Sequence, residues 1–181
     1  GVHPEKGAYF TRGSSKDEYA AYTEDGDAYV RNVDRLLKKF ETAKTWVPGA
    51  KVKNASRKTD FGAIFFGTTA SPSYEAVEIL EDEGIAIDTC RIRAFPFNMD
   101  VEDFIRDHER IFVIEQNRDG QMRRLLLNET AVNAKSKLVP VLEYDGLPIT
   151  ARKIAGVMRD YITGTDVASL VDGESVEELN S

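Results

Sequence analysis

The chain has 181 residues, 41% of them hydrophobic and 30% charged, with a formal net charge of −7. That composition suits one compact soluble domain with extra segments. The acidic balance, with Lys and Arg scattered rather than striped, argues against a nucleic-acid groove or an anionic membrane surface as partner, and no apolar run approaches the roughly 20 residues of a membrane span.

Cys90 is the only cysteine. One cysteine excludes an intramolecular disulfide and any Cys-x-x-Cys metal or redox pair. It lies in an alternating apolar run, IAIDTCRIRAF, and reads as a buried, inert thiol rather than a nucleophile. The opening stretch, GVHPEKGAYFTRGSS, is polar and glycine-rich and is no signal peptide. Together these predict a cytoplasmic protein.

Residues 1–24 show no hydrophobic period and read as loop. Within them Arg12, Gly13 and Glu18 belong to a charged stretch, RGSSKDE, which is either a solvated connection or a contact loop. A helix is predicted from Asp25 to Phe40, capped by Asp25 or Asp27, with Val30, Val33, Leu36, Leu37 and Phe40 at helical spacing. Lys38 and Lys39 suit the negative end of its dipole. Residues 43–58 are a polar linker around Pro48 and Gly49, with a short strand near Val52.

From Asp60 the pattern changes. Phe61 to Phe66 is a continuous apolar run, as in a strand buried on both faces, and Gly67-Thr68-Thr69 ends it. A helix follows from Tyr74 to Glu83, opened by Pro72 with Ser71 or Ser73 as cap, and stopped at Gly84. Ile85 to Ile92 is the next strand. Pro96 breaks the chain, and Asn98 or Asp100 caps a helix through Val101, Phe104 and Ile105. The most informative stretch is RIFVIEQNRDGQMRRLLLNE, Arg110 to Glu129: a buried strand, a polar turn at Asp119-Gly120, and a helix with Met122, Leu125 and Leu126 inward. Leu138 to Leu142 is a strand interrupted by Pro140, which suits an edge. Thr150 caps a last helix, which Gly164 ends, and residues 165–181 are an acidic tail. Strands alternating with helices of about ten residues predict a three-layer α/β domain with a mostly parallel sheet.

The chemistry offered by these elements is sparse. The Gly67-Thr68-Thr69-Ala70-Ser71 turn lies where a phosphate loop would sit, but neither GxGxxG nor GxxxxGK[ST] is present. It is open to two readings, an anion site or a plain turn. His108, in the polar run DHERI, is predicted exposed, and His3 and His108 are too far apart in sequence to suggest a zinc site or a catalytic triad. Asp100, Glu102 and Asp103 read as a solvated helix face. Glu115, Gln116 and Asn117, with Gly120 and Gln121, follow the strand's carboxyl end, where α/β domains meet ligands and partners; they either cap the turn or serve an interface. No catalytic, cofactor-binding or metal-ligating residue is assigned. Arg12, Gly13, Glu18, Glu115, Asn117, Gly120 and Gln121 are the candidate interface residues.

Five stretches in order resemble the carboxy-terminal part of the alpha subunit of 2-oxoacid:ferredoxin oxidoreductases, the 2-oxoglutarate type especially. They are RGSSKDEYAAYTED with VRNVDRLLKKFE, FFGTTASPSYEAVEILEDEGI, RIRAFPFN, VIEQNRDGQMRRLL and YDGLPITARKI, spread over most of residues 9–162. In the first, the family commonly has a histidine after Arg-Gly and two small residues; Lys16 stands there. The resemblance implies a trailing segment of an upstream thiamine-type domain in residues 1–45, a linker and possible first strand in 46–58, and a transketolase carboxy-terminal-like domain in 59–164 before the acidic tail of 165–181. It implies five strands in the order 1-3-2-4-5, the first antiparallel. It also implies a larger enzyme that decarboxylates a 2-oxoacid onto coenzyme A and reduces ferredoxin. In it a beta subunit carries thiamine diphosphate and an iron–sulfur cluster, and a second alpha subunit is a further partner. On this reading the chain is a structural and interface domain, inactive alone and part of a longer subunit. The competing reading is a stand-alone α/β module that binds a small ligand at the Gly67 turn.

Overall fold

The computed structural model describes residues 15–164, together with His3 and Glu5. Arg12, Gly13 and the acidic stretch 165–181 lie outside the described residues. The chain divides into two compact units, with the boundary between Val47 and Pro48.

In the first unit Asp17 organises a tight turn. Its Oδ1 accepts from the backbone N–H groups of Tyr19 and Ala21, each at 2.9 Å. Lys16 bridges Tyr22, and the Asn32 side chain donates to the Lys16 carbonyl at 2.7 Å. Helix α1, Gly26–Lys44, is capped by Asp25, whose side chain accepts from Asp27 N. It runs four residues beyond the predicted Phe40, since ETAK contains nothing that breaks a helix. Its apolar row is open: Val30, Val33, Leu36, Leu37 and Phe40 are 39–62% exposed.

The second unit is a five-stranded sheet in the order β1-β3-β2-β4-β5. Its strands are β1 Lys51–Lys53, β2 Phe61–Phe66, β3 Asp88–Ile92, β4 Arg110–Glu115 and β5 Leu138–Leu142. β1 is antiparallel to β3 and every other pairing is parallel. This is the order that the resemblance to the transketolase carboxy-terminal domain implies, with Phe61–Phe66 at the centre and the first strand at Val52. Four helices cover the sheet: α2 Ala70–Asp82, α3 Met99–Asp107, α4 Gln121–Glu129 and α5 Ala151–Thr163.

Two cores follow from the two-residue alternation of the central strands. Ala63, Phe65, Phe112 and Ile114 pack with α2 and α5 on one face. Ile64, Cys90, Ile111 and Val113 pack with α3 and α4 on the other. All of these are fully buried, and each large apolar side chain so placed contributes about 1.5–3 kcal/mol. Pro140 is tolerated because β5 is an edge strand with a partner on one side only.

The element limits differ from expectation where tertiary contacts decide them. Helix α2 begins at Ala70, not Tyr74, and includes Pro72 in its first turn, where a missing N–H costs nothing. Neither Ser71 nor Ser73 caps it. Ser73 is buried and its hydroxyl donates to the Thr69 carbonyl at 2.7 Å. β3 starts at Asp88, three residues late, because Gly84 (φ +83°) turns the chain and Ile85 to Ile87 serve as connection. Asn98 stands at the N-cap of α3 without a capping bond; its side-chain amide donates to Asp100 at 2.7 Å. Thr150 does cap α5, accepting from Lys153 N.

Candidate functional site

β2, β3, β4 and β5 run in one direction, so the loops after Phe66, Ile92, Glu115 and Leu142 share one edge. Ligands and partners of open α/β sheets meet the chain at this edge. Five large apolar side chains of the described second unit are exposed: Val52, Phe95, Met99, Tyr144 and Leu147. All but Val52 lie in these loops or at the first residue of a helix that follows one.

At the middle of the edge, the turn after β4 is built around a buried carboxylate. Glu115 is 0% exposed. Its Oε2 accepts from Met122 N at 2.8 Å and from the Asn117 side-chain amide at 2.8 Å, and its Oε1 accepts from Arg123 N at 3.0 Å. Met122 and Arg123 are the second and third residues of α4, whose cap position is Gly120 in the left-handed region (φ +59°). Gly120 has no side chain to cap the helix. The strand supplies the capping anion instead, and the positive helix end offsets its burial. Asn117 completes the knot: its Oδ1 accepts from Asp119 N at 3.1 Å and Gln121 N at 3.2 Å. Of the sequence candidates, Glu115, Asn117 and Gly120 are thus brought together, but inward. Gln121 and Gln116 are exposed, and Gln116 donates to the Leu147 carbonyl at 3.4 Å. Glu18 is exposed in the first unit, within the turn that Asp17 organises.

β5 continues the arrangement. Glu143 N donates to the Glu115 carbonyl at 3.1 Å. The Glu143 side chain is buried and pairs with Lys153 at the start of α5. That hydrogen bond raises the Lys153 ammonium above its ordinary pKa. Beside it lies a crevice of about 870 Å³, lined by Thr68, Ser71 and Glu75 from the β2–α2 turn, by Gln116, and by Thr150 and Arg152 at the start of α5.

Away from this edge, His108 is buried, not exposed. Its Nδ1 donates to the Phe104 carbonyl at 2.7 Å, Nε2 meets Asp88 at 3.1 Å, and the ring lies 4.2 Å from that of Phe104. Both nitrogens are engaged in holding α3 to β3. The sequence around His108 is polar, and Asp88 is twenty residues away, so nothing local discloses the pair. Cys90 is buried, and burial first, then the negative charge of Asp100, push its thiol up to about 12. Among the described residues no group of three or more His, Cys, Asp or Glu side chains is arranged to hold a metal ion. Among them too, no helix is long and apolar enough to cross a membrane.

No family model matches the chain. Residues of this chain are 28% identical over 152 positions to 2-oxoacid:ferredoxin oxidoreductase 2, subunit alpha, of Aeropyrum pernix. The chain is similar to that alpha subunit over most of its own length. The match covers 81% of this chain and 23% of the relative, so the chain spans about a quarter of the protein it resembles. The 2-oxoglutarate:ferredoxin oxidoreductase from Magnetococcus marinus, solved with 2-oxoglutarate, coenzyme A and succinyl-CoA bound, superimposes with a TM-score of 0.74 at 20% identity. That likeness covers 88% of this chain and 28% of the solved one, and it shows the fold.

Proposed function

We propose that this chain is the carboxy-terminal structural and interface domain of the alpha subunit of a 2-oxoacid:ferredoxin oxidoreductase of the 2-oxoglutarate type. The observation that carries this reading is the 152-residue match to an alpha subunit, which runs through most of the chain. The sheet order agrees with it. In the proposed assembly a beta subunit and a second alpha subunit are the partners. The beta subunit holds thiamine diphosphate and an iron–sulfur cluster, and the whole enzyme converts a 2-oxoacid and coenzyme A to acyl-CoA while reducing ferredoxin. This chain's contribution is mechanical. Its carboxyl edge presents Phe95, Met99, Tyr144 and Leu147, and the Glu115 knot fixes the β4–α4 turn on the same edge, a surface for another part of the enzyme.

The test is an assay of the native polypeptide that carries this sequence, purified with whatever co-purifies. Coenzyme A-dependent reduction of a viologen dye by 2-oxoglutarate is the expected result, with none from the 181-residue chain alone. A native preparation inert towards every 2-oxoacid would overturn the proposal. The crevice of about 870 Å³ favours a second reading, a small-ligand module. Calorimetric titration with inorganic phosphate and nucleoside phosphates decides it: micromolar binding lost in Arg152→Gln supports the module.

A further inference from the structure

The outer antiparallel strand pair of the sheet, β1 and β3, carries cations on one face, and one of them has a buried N–H without a partner. Lys51 stands opposite Arg91, and Lys53 opposite Thr89. Opposed residues in an antiparallel pair project to the same side. Arg91 is also level with Phe65 of β2, which belongs to the core beneath α2 and α5. Lys51, Lys53 and Arg91 therefore share the α2 side of the sheet. Arg93, just past the strand, is fixed by a 2.7 Å bond from its Nε to the Gly49 carbonyl. Among the described residues none of these four cations forms an ion pair. Nε of Arg91 is buried without a hydrogen-bond partner.

Lysine on an edge strand ordinarily deters a second strand from pairing there. That accounts for Lys51 and Lys53. It does not account for Arg91, which lies one strand in from the edge and is half-buried. Through its two terminal nitrogens a guanidinium takes a carboxylate by two parallel bonds, a fit that lysine lacks. Next to this strand pair runs a groove of about 360 Å³, with Lys53 and Thr89 on one wall and Tyr74 and Val77 of α2 on the other. Glu78 and Glu81 also line it and Arg91 does not, so an acidic occupant must place its carboxylates over the strands beyond the groove, at Arg91, and neutral residues over the glutamates.

We propose that this face of the β1–β3 strand pair binds an extended, carboxylate-bearing segment of a partner polypeptide, with Arg91 as anchor and Lys51 and Lys53 beside it. The two lysines are two residues apart on a strand, about 7 Å, the repeat of alternate side chains in an extended chain. The groove's apolar wall suits a peptide better than a free anion. The inference stands on this unit alone and does not rest on the family reading.

The probe is a fluorescein-labelled peptide of about ten residues alternating Glu and Thr, long enough at ~3.3 Å per residue to cross the strand pair. Its binding to the 181-residue chain is followed by anisotropy. Saturable binding is expected, weakened about tenfold by Arg91→Gln, less by Arg91→Lys, and unchanged by Lys135→Gln, a cation elsewhere on the surface. Circular dichroism of each variant checks folding. No binding, or binding that Arg91→Gln leaves intact, overturns the proposal. So does a large gain in affinity on removing residues 165–181, which hold five carboxylates and no cation: the site would then belong to this chain's own segment.

Discussion

Three N–H donors converge on Glu115, two of them from the first turn of α4, whose cap residue Gly120 offers no side chain. Removing the carboxylate leaves buried amides unsatisfied, at about 1–3 kcal/mol for each buried group. Glu115→Ala should therefore lower unfolding stability by about 2–4 kcal/mol, measured by urea denaturation of the isolated chain. Asn117→Ala, which frees two turn amides and one Glu115 bond, should cost less, about 1–2 kcal/mol. Either variant matching the parent would show that the knot is dispensable. The role of Glu115 was only half legible. A strand end followed by Asp119-Gly120 and an apolar period announces a turn into a helix. Capping rules look for an anion at the cap itself, not five residues earlier on the preceding strand. Cys90 was fully legible, because its neighbours alternate. With its thiol pushed up to about 12 by burial, the thiolate is scarce at pH 8. A thiol reagent at that pH should leave the folded chain unmodified and label it once urea is added; rapid labelling of the native state would contradict the buried placement.

At the scale of elements, the sequence disclosed most where burial acts on both faces. The FGAIFF run was legible to the residue, because a central parallel strand has no polar face to blur its ends. Gly62 within it shows what packing adds. A Cβ there would lie 2.7 Å from the Phe104 ring, and that ring is buried among the α3 contacts. Gly62→Ala should therefore destabilise by about 1–3 kcal/mol through overpacking, despite the better strand propensity of alanine. Phe104→Leu should recover part of the loss, since it removes the ring atoms that collide. An alanine variant as stable as the parent would mean that α3 yields freely. Boundaries were less legible than existence. α2 starts earlier and β3 later than the pattern suggests, because their ends are fixed by the Ser73–Thr69 bond and by the turn at Gly84, which no periodicity records.

At the scale of the whole molecule, the strand order came from resemblance, not from patterning. Alternation and apolar runs predict a parallel sheet but do not say which strand lies beside which. The exposed row on α1 is the other feature of this scale. Val30, Val33, Leu36, Leu37 and Phe40 recur at a spacing that ordinarily marks a buried helix face, yet all are open here, with Leu37 62% exposed. A surface position of that exposure tolerates change within about 0.5 kcal/mol. Leu37→Glu should then leave the urea midpoint of the 181-residue chain nearly unchanged. If the chain is one part of a longer alpha subunit, as proposed, the same row is the natural seat for another part of that subunit. There the substitution replaces a buried leucine by a charge, at a cost of at least about 2–3 kcal/mol. In the full-length polypeptide Leu37→Glu should lower the thermal midpoint and the yield of assembled enzyme, while Glu18→Gln in the neighbouring turn leaves both alone. Equal tolerance of Leu37→Glu in the short chain and in the full polypeptide would mean that the row stays open in the complete protein, and the helix would then have to be read as a surface element rather than a docking face.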